Sequence, residues 1–320
     1  MKPIKFNPLL KQTIWGGDKI IPFKQLDCNM EQVGESWEIS GVPGSETTAA
    51  DGAYKGMTLT EIVGKLKDKL VGADNYRRFG DTFPLLIKFL DARLPLSIQV
   101  HPDNRYAVEH GMKNGKTEMW YMLGSEPQAH LLCGLSHEIT PEEYTQRVKD
   151  DTICDVICKY SVHEDDCFFI PAGRIHSAGP GCFWTEIQQA SDATYRIYDY
   201  NRRDKDGKCR QLHTKEASEC IDYRVLKDYR TVYVPQKNAG VPLTVCEQFC
   251  TAVYDLDEPM AIDYSELDSF VIFVCVAGKG TIIDNEGNET PLRAGETLLI
   301  PATTETVLVS GTIKFIETYV

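Results

Sequence analysis

The sequence predicts a mainly β protein built from two related β-sandwich or jelly-roll units with short helical insertions. Three observations lead there. Several segments alternate polar and apolar residues with period two, as in Ser97-Ile-Gln-Val-His101 and Phe183-Trp-Thr-Glu-Ile-Gln-Gln189. Strand-like runs are short and end at Pro/Gly turns, and from about residue 240 the chain reads almost wholly as such strands. Finally, Asp165-Asp-Cys-Phe-Phe-Ile-Pro-Ala172 echoes as Gly295-Glu-Thr-Leu-Leu-Ile-Pro-Ala302, an offset of 130 residues that sets Thr306 against His176. With 320 residues, the chain has room for two units, expected at 1–235 and 236–320, with helical insertions at about 58–75 and 140–160.

Taken in order, residues 1–50 read as short strands and loops. Trp15-Gly-Gly17 is expected to form a tight turn, and Val33–Ser40 a strand with Glu35, Trp37 and Ile39 on one face. Thr58 and Glu61 stand at capping-box spacing before a helical period. Phe83–Leu90 is an apolar run suited to a buried strand, and Lys88 within it requires a partner or a pocket. After His101-Pro-Asp-Asn the pattern becomes irregular. It resumes at Gly115–Leu123, where Lys116, Glu118 and Trp120 share a face. Thr140-Pro-Glu-Glu is a second helix start, with a capping threonine and proline in the first turn. Trp184, Glu186 and Gln188 fall on one side of a strand, and Asp192, Thr194, Arg196 and Ile197 are expected near one another. A charged loop covers 201–207, and a third helix begins near His213.

The chemistry concentrates in Ser97-Ile-Gln-Val-His101, because a strand directs Ser97, Gln99 and His101 to one face while Ile98 and Val100 face the other. Gln99 and His101 are spaced to reach one ion, and Glu118 and His176 are candidates to complete its shell. Two imidazoles, a carboxylate and an amide oxygen without thiolate suit zinc or a similar divalent ion with a position left open. A single strand histidine is more often a core or surface residue, so His101 or His176 taken alone carries little weight.

Composition narrows the partners. A formal net charge of −13, with pI near 5.1 and no long basic run, argues against nucleic acid and anionic membrane partners. An anionic substrate then needs a local basic pocket. Eleven cysteines without paired C-x-x-C spacing read as free thiols of a reducing compartment. With no apolar run long enough to cross a membrane and no secretory pattern at the start, a cytoplasmic protein is expected.

Pro171-Ala-Gly-Arg-Ile-His176 and Gln99-Val-His-Pro102, with Gly34-Glu-Ser-Trp-Glu38 and Trp15-Gly-Gly17, give a family resemblance. The chain resembles the type I mannose-6-phosphate isomerases of the short bacterial form, built from cupin-type jelly rolls. Its Gln99-Val-His101 stands where a general cupin carries H-x-H. The resemblance runs from about Asn7 to the end, weakens in the C-terminal unit, and departs from the family after Arg196, where Ile197-Tyr-Asp-Tyr200 replaces the usual glycine.

This resemblance implies one Zn2+ per chain held by Gln99, His101, Glu118 and His176, with Lys116 as the site lysine and Arg196 as the catalytic arginine. It also implies interconversion of mannose 6-phosphate and fructose 6-phosphate through an enediol, by a monomer or weak homodimer. Negative charge building on the sugar's carbonyl oxygen is the obstacle, and a Lewis-acidic ion with a positioned acid and base relieves it. Arg196 then serves the enediolate or the phosphate, Lys116 contacts substrate, and Lys88 and Ser97 line the site. Glu186 and Asp192 are both candidates for the proton carrier. Two rivals remain: an iron-dependent cupin dioxygenase, against which the amide Gln99 argues, and a non-catalytic zinc β protein, which has no need of Lys116 and Arg196.

Overall fold

The computed structural model describes residues 1–203 and 206–320, so the charged loop read at 201–207 lies partly outside the described residues. Among the described residues there are three main sheets. The first, six-stranded, runs in the order Cys167–Ile170, Glu118–Ser125, Cys182–Gln189, Leu85–Ala92, Leu9–Gly17, Val33–Ser40. The second, five-stranded, runs Tyr195–Tyr198, Ile98–Val100, His176–Ala178, His130–Leu135, Ile157–Ser161. The third is formed by residues 240 onward around two long strands, Val271–Asp284 and Thr306–Tyr319.

Side-chain alternation decides what each sheet face meets. On the first sheet Ile87, Phe89, Met119 and Ile187 pack with Ile272, Val274 and Ile316 of the third, so these two sheets share one core. Trp120, Met122, Trp184 and Leu90 point the other way and pack with Leu131, Cys133 and Ala178 of the second sheet. The outer face of the second sheet carries Ile98, Val100 and Ile197, covered by Tyr144 and Val148 of the helix Pro141–Lys149 and Ala217 of the helix Thr214–Cys220. With Ile98 and Val100 turned outward, Ser97, Gln99 and His101 point between the first two sheets.

The helix starts read from the sequence are present. Thr58 accepts from the Glu61 N–H while Glu61 accepts from the Thr58 N–H, and Thr140 caps with proline behind it. Helix extends beyond the first expected insertion, to Phe79, and Asp103 caps an additional helix, Asn104–Glu109.

Two local expectations are corrected. Trp15-Gly-Gly17 is the end of a strand, not a tight turn. Its glycines are required by close approach: a Cβ on Gly16 would lie 2.3 Å from the Gln32 carbonyl oxygen, and one on Gly17 2.2 Å from the Asp91 carboxylate. Ile39 does not share the face of Glu35 and Trp37, because a bulge between Trp37 and Ile39 turns it into the core with Ile87 and Phe89. Ile197, expected near Arg196, is its chain neighbour and is buried in the outer cluster, at a register shift between Arg196 and Tyr198.

The internal echo is structural. Strands Cys167–Ile170 and Thr297–Ile300 begin and end 130 residues apart, and those beginning at His176 and Thr306 keep the same offset. Where the first unit buries His176, Thr306 is exposed, and the interior of the second unit is filled by Leu256, Phe273, Leu298 and Phe315.

Buried ionic contacts join the N-terminal region to the third sheet. Lys24 Nζ donates to Glu38 Oε2 at 2.7 Å and to the Gly295 carbonyl, with both side chains almost wholly buried. Removing one partner leaves the other buried and uncompensated, so Lys24→Met is expected to lower unfolding free energy by about 3–5 kcal/mol. Lys24→Met combined with Glu38→Leu should recover most of that loss in urea unfolding.

A second buried carboxyl gives a pH signature. Glu317 accepts from Tyr264, and burial pushes its carboxyl above the ordinary range against that hydrogen bond. A raised folded pKa means stability that is full below the unfolded value, about 4.3, and is lost as pH rises through the folded one. Glu317→Gln keeps an acceptor for Tyr264 and cannot ionise. Its urea midpoint should therefore gain on the wild type between pH 4 and pH 7.

Candidate metal centre and active site

Neighbouring strands and one crossing carboxylate assemble the site. In the second sheet His176 is paired with Gln99, and Gln99 in turn with Arg196, which brings three side chains from distant parts of the chain side by side. Glu118 enters from the first sheet, opposite Ile170 and Gln188. Candidate ligand atoms of His101, Glu118 and His176 all lie within 4.8 Å of one another, and all three residues are buried.

Hydrogen bonds behind the histidines fix which nitrogen faces inward. His101 Nδ1 lies 2.8 Å from the Ala193 carbonyl and His176 Nδ1 2.9 Å from the Arg174 carbonyl. A carbonyl only accepts, so each Nδ1 carries the proton and each Nε2 presents a lone pair. Those lone pairs face a carboxylate: His176 Nε2 is 3.1 Å from Glu118 Oε1, and His101 Nε2 is 3.5 Å from Oε2. Neither Glu118 oxygen nor His101 Nε2 has a hydrogen-bond partner.

Acceptors facing acceptors in a buried place call for a cation among them. Tetrahedral zinc with bonds near 2.0–2.1 Å sets its ligand atoms about 3.4 Å apart, close to the spacings found. Gln99 Nε2 lies 3.2 Å from His176 Nε2, and a half-turn of that carboxamide presents Oε1 to the same point. The residues therefore fit a divalent ion.

Protonation states agree with this fit. Burial alone would raise Glu118, but the Lys116 ammonium beside it holds its carboxyl well below the ordinary range. Burial, with Lys116 adding to it, keeps His101 well below its ordinary value. An ionised carboxylate and neutral imidazoles are the forms that ligate.

Outward from this cluster lies a cavity of about 340 Å³ lined by Ser97, Gln99, Lys88, Lys116, Glu186, Asp192 and Arg196. Lys116 Nζ is 3.1 Å from Glu118 Oε2 and 3.9 Å from Glu186 Oε1. Lys88 Nζ is 3.2 Å from Glu186 Oε1 and 3.4 Å from Glu35 Oε2, which supplies the partner its buried position demands. Burial and the nearby Glu118 raise the Glu186 carboxyl, against the two lysines. Asp192, by contrast, is exposed at the cavity's edge.

Comparison with known proteins now gives the lineage. Residues 4–133 match the family described as "Phosphomannose isomerase type I, catalytic domain", and residues 242–320 match "Mannose-6-phosphate isomerase, cupin domain". The chain is 31% identical over 308 residues to mannose-6-phosphate isomerase ManA of Bacillus subtilis, covering 94% of this chain and 93% of that protein. The chain belongs to the type I phosphomannose isomerases.

Other relatives agree. A mannose-6-phosphate isomerase of Streptococcus mutans is 30% identical over 99% of this chain and 98% of its own. The crystal structure of a Bacillus subtilis mannose 6-phosphate isomerase superposes with a TM-score of 0.89 at 28% identity, covering 100% of both chains. A phosphomannose isomerase from Salmonella typhimurium shares the fold at a TM-score of 0.83, with 16% identity and coverage of 100% and 99%.

Within this family member, the ten residues singled out from the sequence lie together as metal-cluster or cavity-lining side chains. Sequence reasoning missed Trp15, Glu35, Arg210 and His213, which also line the cavity. Glu35 had a signal, since a buried Lys88 implies a nearby acid on an adjoining strand face. The sequence pattern puts a helix start at His213. His213 precedes that helix, and its Nδ1 accepts from the Arg196 N–H at 3.1 Å, an interaction without sequence signature.

We expect the purified chain to hold about one divalent ion by elemental analysis, because among the described residues one His–Glu–His group, that of His101, Glu118 and His176, is placed to hold it. His101→Ala and His176→Ala should each weaken retention by more than about a hundredfold with circular dichroism unchanged. An ion count unaffected by either substitution would exclude that residue as a ligand.

Proposed function

We propose that this protein is a zinc-dependent aldose–ketose isomerase that interconverts mannose 6-phosphate and fructose 6-phosphate by proton transfer through an enediol. The observation that carries the reading is the buried carboxylate facing two imidazole lone pairs at the floor of a cavity furnished with cations. Family membership supports the substrate. The same reading divides the chain into a catalytic unit, residues 1–235, and a C-terminal unit, 236–320.

Gln99, His101, Glu118 and His176 would hold the ion, and when bound it supplies Lewis acidity toward the sugar's carbonyl and hydroxyl oxygens. The remaining work belongs to the chain. Proton transfer between C1 and C2 needs a group that exchanges a proton near neutral pH, and a carboxyl raised by burial suits this. Glu186 is the group we assign, because it is buried in the cavity wall between Lys88 and Lys116, whereas Asp192 is exposed. Lys116 stands between Glu118 and Glu186 and keeps two neighbouring carboxylates compatible.

Arg196 would face the developing enediolate. Its Nη1 donates to the Gln211 carbonyl at 3.0 Å, its buried Nε has no partner, and its strand is registered on Gln99. A donor held beside the reacting oxygens stabilises charge as it forms.

A coupled assay of fructose 6-phosphate formation from mannose 6-phosphate, before and after dialysis against a chelator, tests the whole. Activity should vanish with the ion and return on adding zinc. Arg196→Lys should retain metal and fold while kcat falls about a hundredfold to a thousandfold. Wild-type kcat and KM in that variant would remove Arg196 from the reaction.

A further inference from the structure

One transverse row of side chains crosses the cavity face of the first sheet. Trp37 stands directly opposite Lys88, Lys88 opposite Glu186, and Glu186 opposite Trp120. Directly opposed residues share a face and lie within reach of each other, so Lys88 has Trp37 on one side and Glu186 on the other. Glu35, two residues before Trp37 on the same strand, shares that face as well.

Contacts along this row differ in length. Trp37 Nε1 donates to Glu35 Oε2 at 2.7 Å, whereas Lys88 Nζ is 3.4 Å from that same oxygen and 3.2 Å from Glu186 Oε1. The shortest of the three is the one made by the indole, whose residue is 2% exposed. An indole N–H is a donor only and cannot turn apart from its ring, so it pins the carboxylate oxygen that faces the lysine. Lys88 Nζ also lies 4.9 Å from the centre of the Trp37 ring, within cation–π range. Against burial, Lys88 and then the Trp37 N–H hold the Glu35 carboxyl below its ordinary range. The buried indole nitrogens of Trp120 and Trp184 have no hydrogen-bond partner, which sets Trp37 apart from them.

A lysine ammonium rides on a flexible four-carbon stem, and one left to swing would give Glu186 a changing neighbour. Glu35 and the Trp37 ring restrict Lys88 from the side away from Glu186. Proton transfer is sensitive to such placement, since a misplacement of about 1 Å can cost roughly a hundredfold in rate.

We propose that Trp37 is a positioning residue for the isomerisation: its indole N–H fixes the Glu35 carboxylate, and the two together hold the Lys88 ammonium against Glu186. This rests on the isomerase reading with Glu186 as the proton carrier, which it extends to what holds that carrier's neighbour in place.

Trp37→Phe keeps most of the ring and removes the N–H. In the zinc-loaded full chain it should lower kcat for mannose 6-phosphate about tenfold with KM changed less than about twofold, because it disturbs the proton-transferring group and no ground-state contact. Glu35→Ala should cost a similar factor. The double variant should fall no more than about twofold below Glu35→Ala alone, since Trp37 acts through Glu35. A ring that merely packs would give Trp37→Phe a kcat near that of the wild type, or losses that multiply in the double variant. Either result overturns the proposal.

A second readout does not depend on turnover. Four tryptophans give four indole N–H signals in magnetic resonance of the nitrogen-labelled chain, and the one missing from Trp37→Phe belongs to Trp37. That signal should move in Glu35→Ala, which removes its acceptor, and in Lys88→Met, which removes the cation on the same oxygen. A signal unmoved by Glu35→Ala overturns the proposal. If Trp37→Phe fails to fold, the signal is assigned through space from Lys11, whose Nζ stands 3.5 Å from the ring centre, and the same shift decides. A wild-type chain inactive on mannose 6-phosphate would refute the isomerase reading, while these shifts would still decide whether Trp37 fixes Glu35 and Lys88.

Discussion

A buried carboxylate whose oxygens look at nitrogen lone pairs is the constraint on which the site depends. Glu118 is fully buried and unpartnered by hydrogen bonds, a placement that is costly unless a cation answers it. Several features serve that need. Ala193 and Arg174 lend carbonyls that fix both imidazoles with lone pairs inward. Lys116, 3.1 Å away, holds the carboxylate ionised. Strand register brings His176, Gln99 and Arg196 alongside one another. Lys116 answers one side of the carboxylate, and the two imidazole nitrogens leave room on the other for an ion that would add to the stability of the fold.

The two units show how little of this follows from the architecture itself. Equivalent strands recur at an offset of 130, so backbone geometry is repeated. Yet Thr306 is exposed where His176 is buried, and aliphatic and aromatic side chains fill the second interior. The second unit instead presents one sheet face to the first unit's strands, sharing a core with them. One copy holds the cluster of His101, Glu118 and His176 and the other an apolar interior, in keeping with function residing in side chains grafted on a common scaffold.

Legibility in the sequence followed the range of the forces involved. Period two read out Ser97, Gln99 and His101 on one face and Glu118 with Trp120 on another, because strand alternation is local and strict. Capping at Thr58 and Thr140 was legible for the same reason. The turn expected at Trp15-Gly-Gly17 failed because those glycines answer to close approach by Gln32 and Asp91, a tertiary contact with no local signature. Ile39 failed because a bulge breaks the alternation that the reading assumed. Arg196 is one of three arginines near Asp199, a grouping without sequence signature because Arg202 and Arg210 come from an irregular segment without periodicity.

Charge is the term that composition misrepresents most. A net −13 suggests a molecule hostile to anions, but potential at a ligand is set by the nearest charges in a low-dielectric cavity and less by distant ones screened by water. Four of the cavity's lining residues are Lys or Arg against three acids, and the acids are not evenly placed. Glu35 and Glu186 sit with Lys88 and Lys116, which leaves the deep end nearly balanced and suited to proton transfer. The arginines lie beyond them, and burial together with mutual repulsion from Arg210 weakens the hold of Arg196 on its own charge. Crowded cations of this kind attract anions, so the local charges of the cavity outweigh the acidic surface in setting what it can hold.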